Sequence, residues 1–260
     1  SDGAAAPVAK DLPVRVPRRF ELLARPLAEL DEGDVPAAVR EELLQAELLQ
    51  PHLGLQRQLR RRDVLRGRFG LKPGELLVTN IGTVCDRKGQ IGFCRAVDLF
   101  RQRHPDLNAR TRFVLLGGRA TLIDEMLRDV LADLALPNLE VHPETPDFLP
   151  YYAAADLTVC SSYEESSPRV VMEAMACGKP LLASAIAGIS ELARDGLEAT
   201  LVPAGHTTAW ADGLARLLGD PATAQDRAKR ARTRVEAEYA ADIVLPRHAA
   251  LASAVAAGQV

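Results

Sequence analysis

Two carboxylates with seven residues between them, Glu165 and Glu173, flank the stretch Ser166-Ser167-Pro168-Arg169-Val170. A diol such as a ribose or a hexose is matched by a carboxylate that accepts two hydrogen bonds, whereas a diphosphate is matched by amides and cations. This stretch offers both. Ser166 or Ser167 reads as a helix cap and Pro168 as a first-turn residue, which leaves the amides that follow aimed outward as an anion seat. Blander readings stand beside this one. Glu173 could form an i,i+4 ion pair with Arg169, worth about 0.2 to 0.5 kcal/mol, and Glu164 and Glu165 could simply be favourable charges near a helix start.

Two further loops carry unusual residues. The run Ile81-Gly82-Thr83-Val84-Cys85-Asp86-Arg87-Lys88-Gly89 leads from an apolar strand into a helix. Gly82 lets a ligand approach the backbone, and Lys88 sits where a helix N-terminus already favours anions, so phosphate is the natural ligand. The loop is neither a Walker A sequence nor a G-x-G-x-x-G fingerprint, and a tight turn with an exposed lysine fits it equally well. In Ala185-Ile186-Ala187-Gly188-Ile189-Ser190-Glu191, Gly188 either admits a ligand or makes the turn. The small residues Ala174, Ala176 and Gly178 read as helix-to-sheet packing.

These loops need a frame. From Leu76 onward short apolar runs alternate with amphipathic segments, the pattern of an α/β fold with a doubly wound parallel sheet. Strands are expected at Leu76 to Ile81, Arg112 to Leu116, Leu139 to His142, Leu157 to Cys160, Pro180 to Ser184 and Thr200 to Val202. Helices are expected at about Gly89 to Arg103, Ala120 to Ala135, Phe148 to Ala154, Pro168 to Cys177, Ile189 to Arg194 and Thr207 to Leu218. Two more, Pro221 to Tyr239 and about Asp242 to Ala256, form a C-terminal tail. In such a sheet ligands bind beyond the carboxyl ends of the strands, where all three loops lie. Residues 1–70 read as an extension: an irregular, proline-punctuated lead-in to about Asp34, a helix from Pro36, and a second helix from about Leu55 to Phe69. Residues 71–260 read as the Rossmann-like domain with its C-terminal helices.

The chain has 260 residues and 47% hydrophobic content, ample for a buried core. A net charge of −3 and a pI near 6.0 give no general reason to bind nucleic acid. Cys85, Cys94, Cys160 and Cys177 form no C-x-x-C pair, so free thiols in a reducing, cytoplasmic compartment are expected, with no metal site. No apolar run approaches the length that spans a bilayer, and the start SDGAAAPVAK lacks the order of a signal peptide. The basic cluster Arg57, Arg60, Arg61, Arg62, Arg66 and Arg68 reads as a solvated helix face. Contact with anionic lipids at the inner face of a membrane, or with an acidic partner surface, is the alternative.

Taken in order, the residues resemble the C-terminal, donor-binding half of the GT-B retaining glycosyltransferases of the large group 1, or family 4, type. The resemblance runs from Leu76 to about Tyr239. It rests on Gly82 with Lys88-Gly89-Gln90; Leu116-Gly117; Tyr151-Tyr152-Ala153-Ala154-Ala155-Asp156; the Glu165 and Glu173 pair; Glu173-Ala-Met-Ala-Cys-Gly-Lys-Pro; and Gly188-Ile189-Ser190-Glu191. It implies a nucleotide-sugar substrate, no cofactor, and no metal, in keeping with the lack of an Asp-x-Asp pair. By resemblance, Lys88 contacts the donor diphosphate, and Glu165 with the backbone of Ser166 to Pro168 holds the transferred sugar. Amides of Arg169 and Val170 meet phosphate, Glu173 takes the ribose hydroxyls, and the base lies near His142 to Glu144.

There are two departures from the family pattern. Thr83 stands where many relatives have Arg, so one diphosphate cation is missing or replaced by Arg87. An acceptor-binding domain of on the order of 100 to 200 residues is expected before Leu76, but the residues there read as helical and irregular. The chain is therefore expected to be a donor half that binds nucleotide and turns over poorly or not at all, with a non-catalytic nucleotide-sugar-binding module of a larger assembly as the alternative.

Overall fold

The computed structural model describes residues 62, 64, 66, 67 and 69–256, excluding the side chains of 248, 252, 253 and 256, and all of these residues belong to one compact unit. The lead-in, the helix from Pro36 and most of the second helix, with Arg57, Arg60, Arg61 and Arg68, lie outside the described residues.

Six strands form one parallel sheet: β1 (Leu76–Ile81), β2 (Thr111–Gly118), β3 (Leu139–Pro143), β4 (Leu157–Cys160), β5 (Leu181–Ser184) and β6 (Thr200–Val202). Their order is β3-β2-β1-β4-β5-β6, so the winding reverses between β1 and β4. The expected doubly wound α/β class is the observed one. Both faces of the sheet are covered, which is why the strands read as continuous apolar runs; all four residues of β4 and of β5 are buried.

Each face has its own core. On one, helix α1 (Gln90–Arg103) buries Phe93, Val97 and Phe100 at helical spacing. After α2 (Pro105–Ala109) and α3 (Leu122–Leu134), the same face is completed by Trp210 and Leu214 of α7 (Thr207–Gly219). Phe93 meets Phe113 and Trp210 edge-to-face, with ring centroids 6.3 and 6.0 Å apart. Burying each of these rings is worth on the order of 1.5 to 3 kcal/mol. The other face packs α4 (Leu149–Ala154), α5 (Arg169–Ala176), α6 (Ala187–Leu192) and α8 (Pro221–Glu238) around Tyr152, Val171, Met175, Ile189 and Val235. A last helix, α9 (Ala241–Ala256), follows. Among the described residues no helix is long and apolar enough to cross a membrane.

Several boundaries differ from the sequence reading. Helix α2 was not foreseen: Pro105 fits the first helical position after His104, and only Asn108 of its five residues is buried, so it has almost no apolar period to betray it. Strand β2 runs two residues past Leu116, and α6 starts at Ala187 and stops at Leu192, two residues earlier at each end than expected.

The described part of the basic cluster is also a correction. Arg62 and Arg66 do not form a solvated face: both grip Asp156, each at 2.8 Å, and Arg66 also donates to the carbonyls of Ala154 and Glu75. The second oxygen of Asp156 accepts from the Leu77 N–H. Asp156 therefore ties the segment before β1 to the start of β4. Beside it Lys179 donates to the carbonyls of Ala153 and Ala155 at 2.7 and 3.3 Å, which stops α4. Burial, with the like charges of Arg62 and Arg66, lowers the Lys179 ammonium to about 8, against the pull of the Asp156 carboxylate.

A lysine lowered on folding releases its proton earlier in the folded than in the unfolded state. Between about 8 and 10.5 the unfolded chain then holds more protons, and stability rises with pH. Wild type should accordingly gain on Lys179→Met across that window, by on the order of 3 kcal/mol. Urea unfolding of both at a series of pH values measures it; a difference independent of pH would refute the buried-charge account.

Candidate functional site

The reversal between β1 and β4 opens a crevice at the carboxyl ends of these strands, the place where open α/β sheets bind ligands. The loops after β1 and β4 form its walls. They are stitched together by a chain of bonds: Asn80 Nδ2 donates to Ser161 Oγ at 2.9 Å, and Ser161 Oγ donates to the Lys88 carbonyl at 2.9 Å. The Tyr163 N–H adds a bond to the Arg87 carbonyl at 2.7 Å. Gly89, with φ of +67°, caps α1 and lies so close that a Cβ would stand 2.3 Å from the Ser161 carbonyl oxygen.

Glu165 is brought to the centre of this arrangement. Lys88 Nζ and Ser162 Oγ both donate to its Oε1, at 2.5 and 2.8 Å, and Arg87 stands 3.7 Å from Oε2. The Glu165 and Lys88 side chains are only 8% and 17% exposed, whereas Arg87 is 55% exposed. Lys88 and Glu165, which the resemblance assigns to the diphosphate and the sugar, thus pair with each other. Arg87 joins them from the solvent side.

The helix that follows begins differently from the expectation. Neither Ser166 nor Ser167 caps it: Pro168 occupies the N-cap position in extended backbone, with no side-chain cap, and both serines are exposed. Proline has no N–H to satisfy, and its carbonyl accepts from Val171 at 3.1 Å. The N–H groups of Arg169 and Val170 donate to nothing among the described residues, as the first turn of a helix requires. One turn further on, Glu173 accepts a hydrogen bond of 2.8 Å from the Tyr152 hydroxyl. Burial and the Glu173 charge hold that hydroxyl well above the usual tyrosine range, so it remains a donor.

Of the remaining predicted positions, Gly82 lies under the aliphatic chain of Lys88. Gly188 is buried within α6. A Cβ there would stand 2.3 and 2.4 Å from the carbonyl oxygens of Glu165 and Ser166, so the glycine gives passage to the loop that carries Glu165. At the end of β3, His142 is within 3.0 Å of the Tyr151 hydroxyl and 3.1 Å of Glu140, while Glu144 pairs with Arg119, which lowers its carboxyl. Among the described residues no group of three or more His, Cys, Asp or Glu side chains is placed to hold a metal ion.

A family model described as glycosyl transferases group 1 matches residues 75–220. The chain belongs to this family. A D-inositol 3-phosphate glycosyltransferase of Pseudarthrobacter chlorophenolicus is 32% identical over 178 residues, which are 67% of this chain and 42% of that protein. The enzyme of the same name from Nocardia farcinica is 34% identical over 185 residues, 69% of this chain and 40% of the relative. The chain thus spans less than half the length of these relatives. Among solved structures, Anabaena HepE in complex with UDP and glucose superposes with a TM-score of 0.66 at 23% identity, covering 74% of this chain and 52% of HepE. Sucrose-phosphate synthase from Thermosynechococcus elongatus gives 0.67 at 23%, covering 93% and 66%. The fold of this group 1 glycosyltransferase domain is the Rossmann-like one of GT-B enzymes.

Sequence reasoning passed over Asn80, Ser161, Ser162 and Tyr152 as site residues of the glycosyltransferase domain. Asn80 carried a signal: a polar residue inside an apolar strand must find a buried partner, and it is 5% exposed. Because backbone, not a flexible side chain, faces Gly188, Gly188→Ala should destabilise the domain by about 1 to 3 kcal/mol through overpacking. Urea denaturation tests this; a change below about 0.5 kcal/mol would mean the loop can shift freely.

Proposed function

We propose that the chain is the donor half of a retaining, metal-independent glycosyltransferase that binds a nucleotide sugar at the β1/β4 crevice. The observation that carries this reading is the meeting of Lys88 and Arg87 with Glu165, just before a helix whose Arg169 and Val170 N–H groups donate to nothing among the described residues and which carries Glu173 one turn further on. Cations and helix-start amides suit a diphosphate; carboxylates suit the hydroxyls of the sugar and ribose. Membership of the family and the likeness to a protein solved with UDP and glucose support the same assignment.

On this reading Lys88 turns from Glu165 toward the diphosphate and stabilises the charge that grows as the bond from sugar C1 to the phosphate oxygen breaks. Glu165, relieved of Lys88, accepts hydrogen bonds from the sugar, with Ser162 still holding it. It acts in recognition, not as a nucleophile. The acceptor hydroxyl oxygen bonds to C1 on the face the phosphate leaves, and its proton passes to the departing phosphate oxygen. Groups that bind the acceptor belong to a second half outside the residues described.

Calorimetry with UDP, GDP and ADP sugars tests the assignment. At least one should bind, and Lys88→Ala and Glu173→Ala should each weaken it by about tenfold or more. If none binds, or if both variants bind as wild type does, the donor-site reading falls. Binding without transfer by a longer chain that includes an acceptor half would instead favour a non-catalytic module.

A further inference from the structure

We propose that Gln90 is a positioning residue that fixes the backbone N–H of Thr83 as a donor to a phosphate oxygen of the nucleotide, beside Lys88. The inference rests on the donor-site reading above and adds to it a group that no side-chain comparison would find.

Gln90 is the first residue of α1 and is 3% exposed. Its Nε2 donates to two successive carbonyls of the β1 loop, Gly82 at 3.3 Å and Thr83 at 3.2 Å. Its Oε1 is buried and has no hydrogen-bond partner. A side chain kept in the interior with one end unsatisfied gives little net stability. The ordered effect of this amide is on the loop it spans.

That loop is held from both sides. The Gly82 and Val84 N–H groups donate to the Leu116 and Gly117 carbonyls of β2 at 2.8 and 2.9 Å. The Gly82–Thr83 peptide lies against the bare α-carbon of Gly117, where a Cβ would stand 2.2 Å from the Gly82 oxygen and 2.9 Å from the Thr83 nitrogen. No peptide bond in the described chain is cis, and a trans peptide sends its N–H opposite to its C=O. With the Gly82 carbonyl drawn to buried Gln90, the Thr83 N–H faces away from it. Of the three successive N–H groups at positions 82, 83 and 84, that of Thr83 alone donates to nothing among the described residues.

Lys88 supplies the neighbouring charge. Its Cε and Nζ lie 3.8 and 4.0 Å from the position a Cβ on Gly82 would take, one peptide from the Thr83 nitrogen. The Thr83 amide and the Lys88 ammonium therefore lie on either side of the same residue, Gly82. A donor held by its own backbone needs no reorganisation to meet an anion, which suits a site where the residue at 83 has no charged side chain.

The test compares matched nucleoside mono- and diphosphates of whichever base binds wild type best. In Gln90→Met, of similar length but without an amide, diphosphate affinity should fall about tenfold relative to monophosphate affinity, the loss expected for one hydrogen bond to a charged group. Thr83→Pro, which deletes the N–H itself, should give the same selective loss, with thermal melts showing that each variant is folded. If Gln90→Met weakens both nucleotides equally, Gln90 only supports the fold; if it changes neither, Gln90 does not position the Thr83 amide. Either result overturns the proposal while leaving the donor-site reading in place, which falls only if wild type binds no nucleotide.

Discussion

The loop after β4 reaches the mouth of the sheet because α-carbons on either side of it carry no side chain. Gly89 presses on the carbonyl of Ser161, and Gly188 presses on those of Glu165 and Ser166. The loop after β1 and helix α6 thereby fix the path of the segment that carries Glu165, using contact with backbone that cannot give way. Fixing backbone in this manner offsets, before any ligand arrives, ordering that would otherwise amount to about 1 to 2 kcal/mol per residue. The carboxylate then needs only local partners, and Ser162 and Lys88 provide them.

Electrostatics follow from that placement. A solvent-exposed ion pair is worth about 0 to 1 kcal/mol, but the Lys88 and Glu165 side chains are mostly buried, so removing one partner alone would leave a charge costing about 3 to 5 kcal/mol. A ligand that separates them must therefore replace both interactions at once. On the proposed reading a phosphate joined to a sugar would do this, offering oxygens to Lys88 and hydroxyls to Glu165. On that reading a lone anion would strand Glu165 and a lone sugar would leave Lys88 without a counter-charge, so the buried pair would favour molecules that carry both.

Much of the fold was legible because burial on two faces writes a simple code. The ends of β1, β4 and β6 fall where the apolar runs begin and end. Helix α2 was illegible because five residues with one buried position have no period. Residue types after β1 and β4 singled out Lys88, Glu165 and Glu173 as candidates, but not the pairing of Lys88 with Glu165, since sequence spacing says nothing about which loops meet across a reversal of winding. Capping was misread for a related reason. Ser166 and Ser167 have the right chemistry, yet Pro168 shifts the helix start past them by restricting the residue before it to extended backbone. Arg62 and Arg66 looked like surface charge because Asp156, their partner, is ninety residues away in sequence.

A site built largely from backbone also bears on how far the fold can drift in sequence. HepE and sucrose-phosphate synthase share 23% of aligned residues with this chain and still superpose at TM-scores of 0.66 and 0.67. The features that shape the crevice here are the strand order, clearances at glycines, and N–H groups left open at the first turn of α5. The strand order specifies no side chain at most positions, and a fold shared at such low identity tolerates wide substitution so long as the cores on the two faces keep their volume and pattern. Side-chain identity matters at few places, chiefly where a charge must be buried and answered. Lys179 shows what an incompletely answered charge does: its ammonium, held by two carbonyls beside two arginines that share one carboxylate, is driven toward its neutral form. Lys88, by contrast, pairs directly with a single carboxylate, that of Glu165.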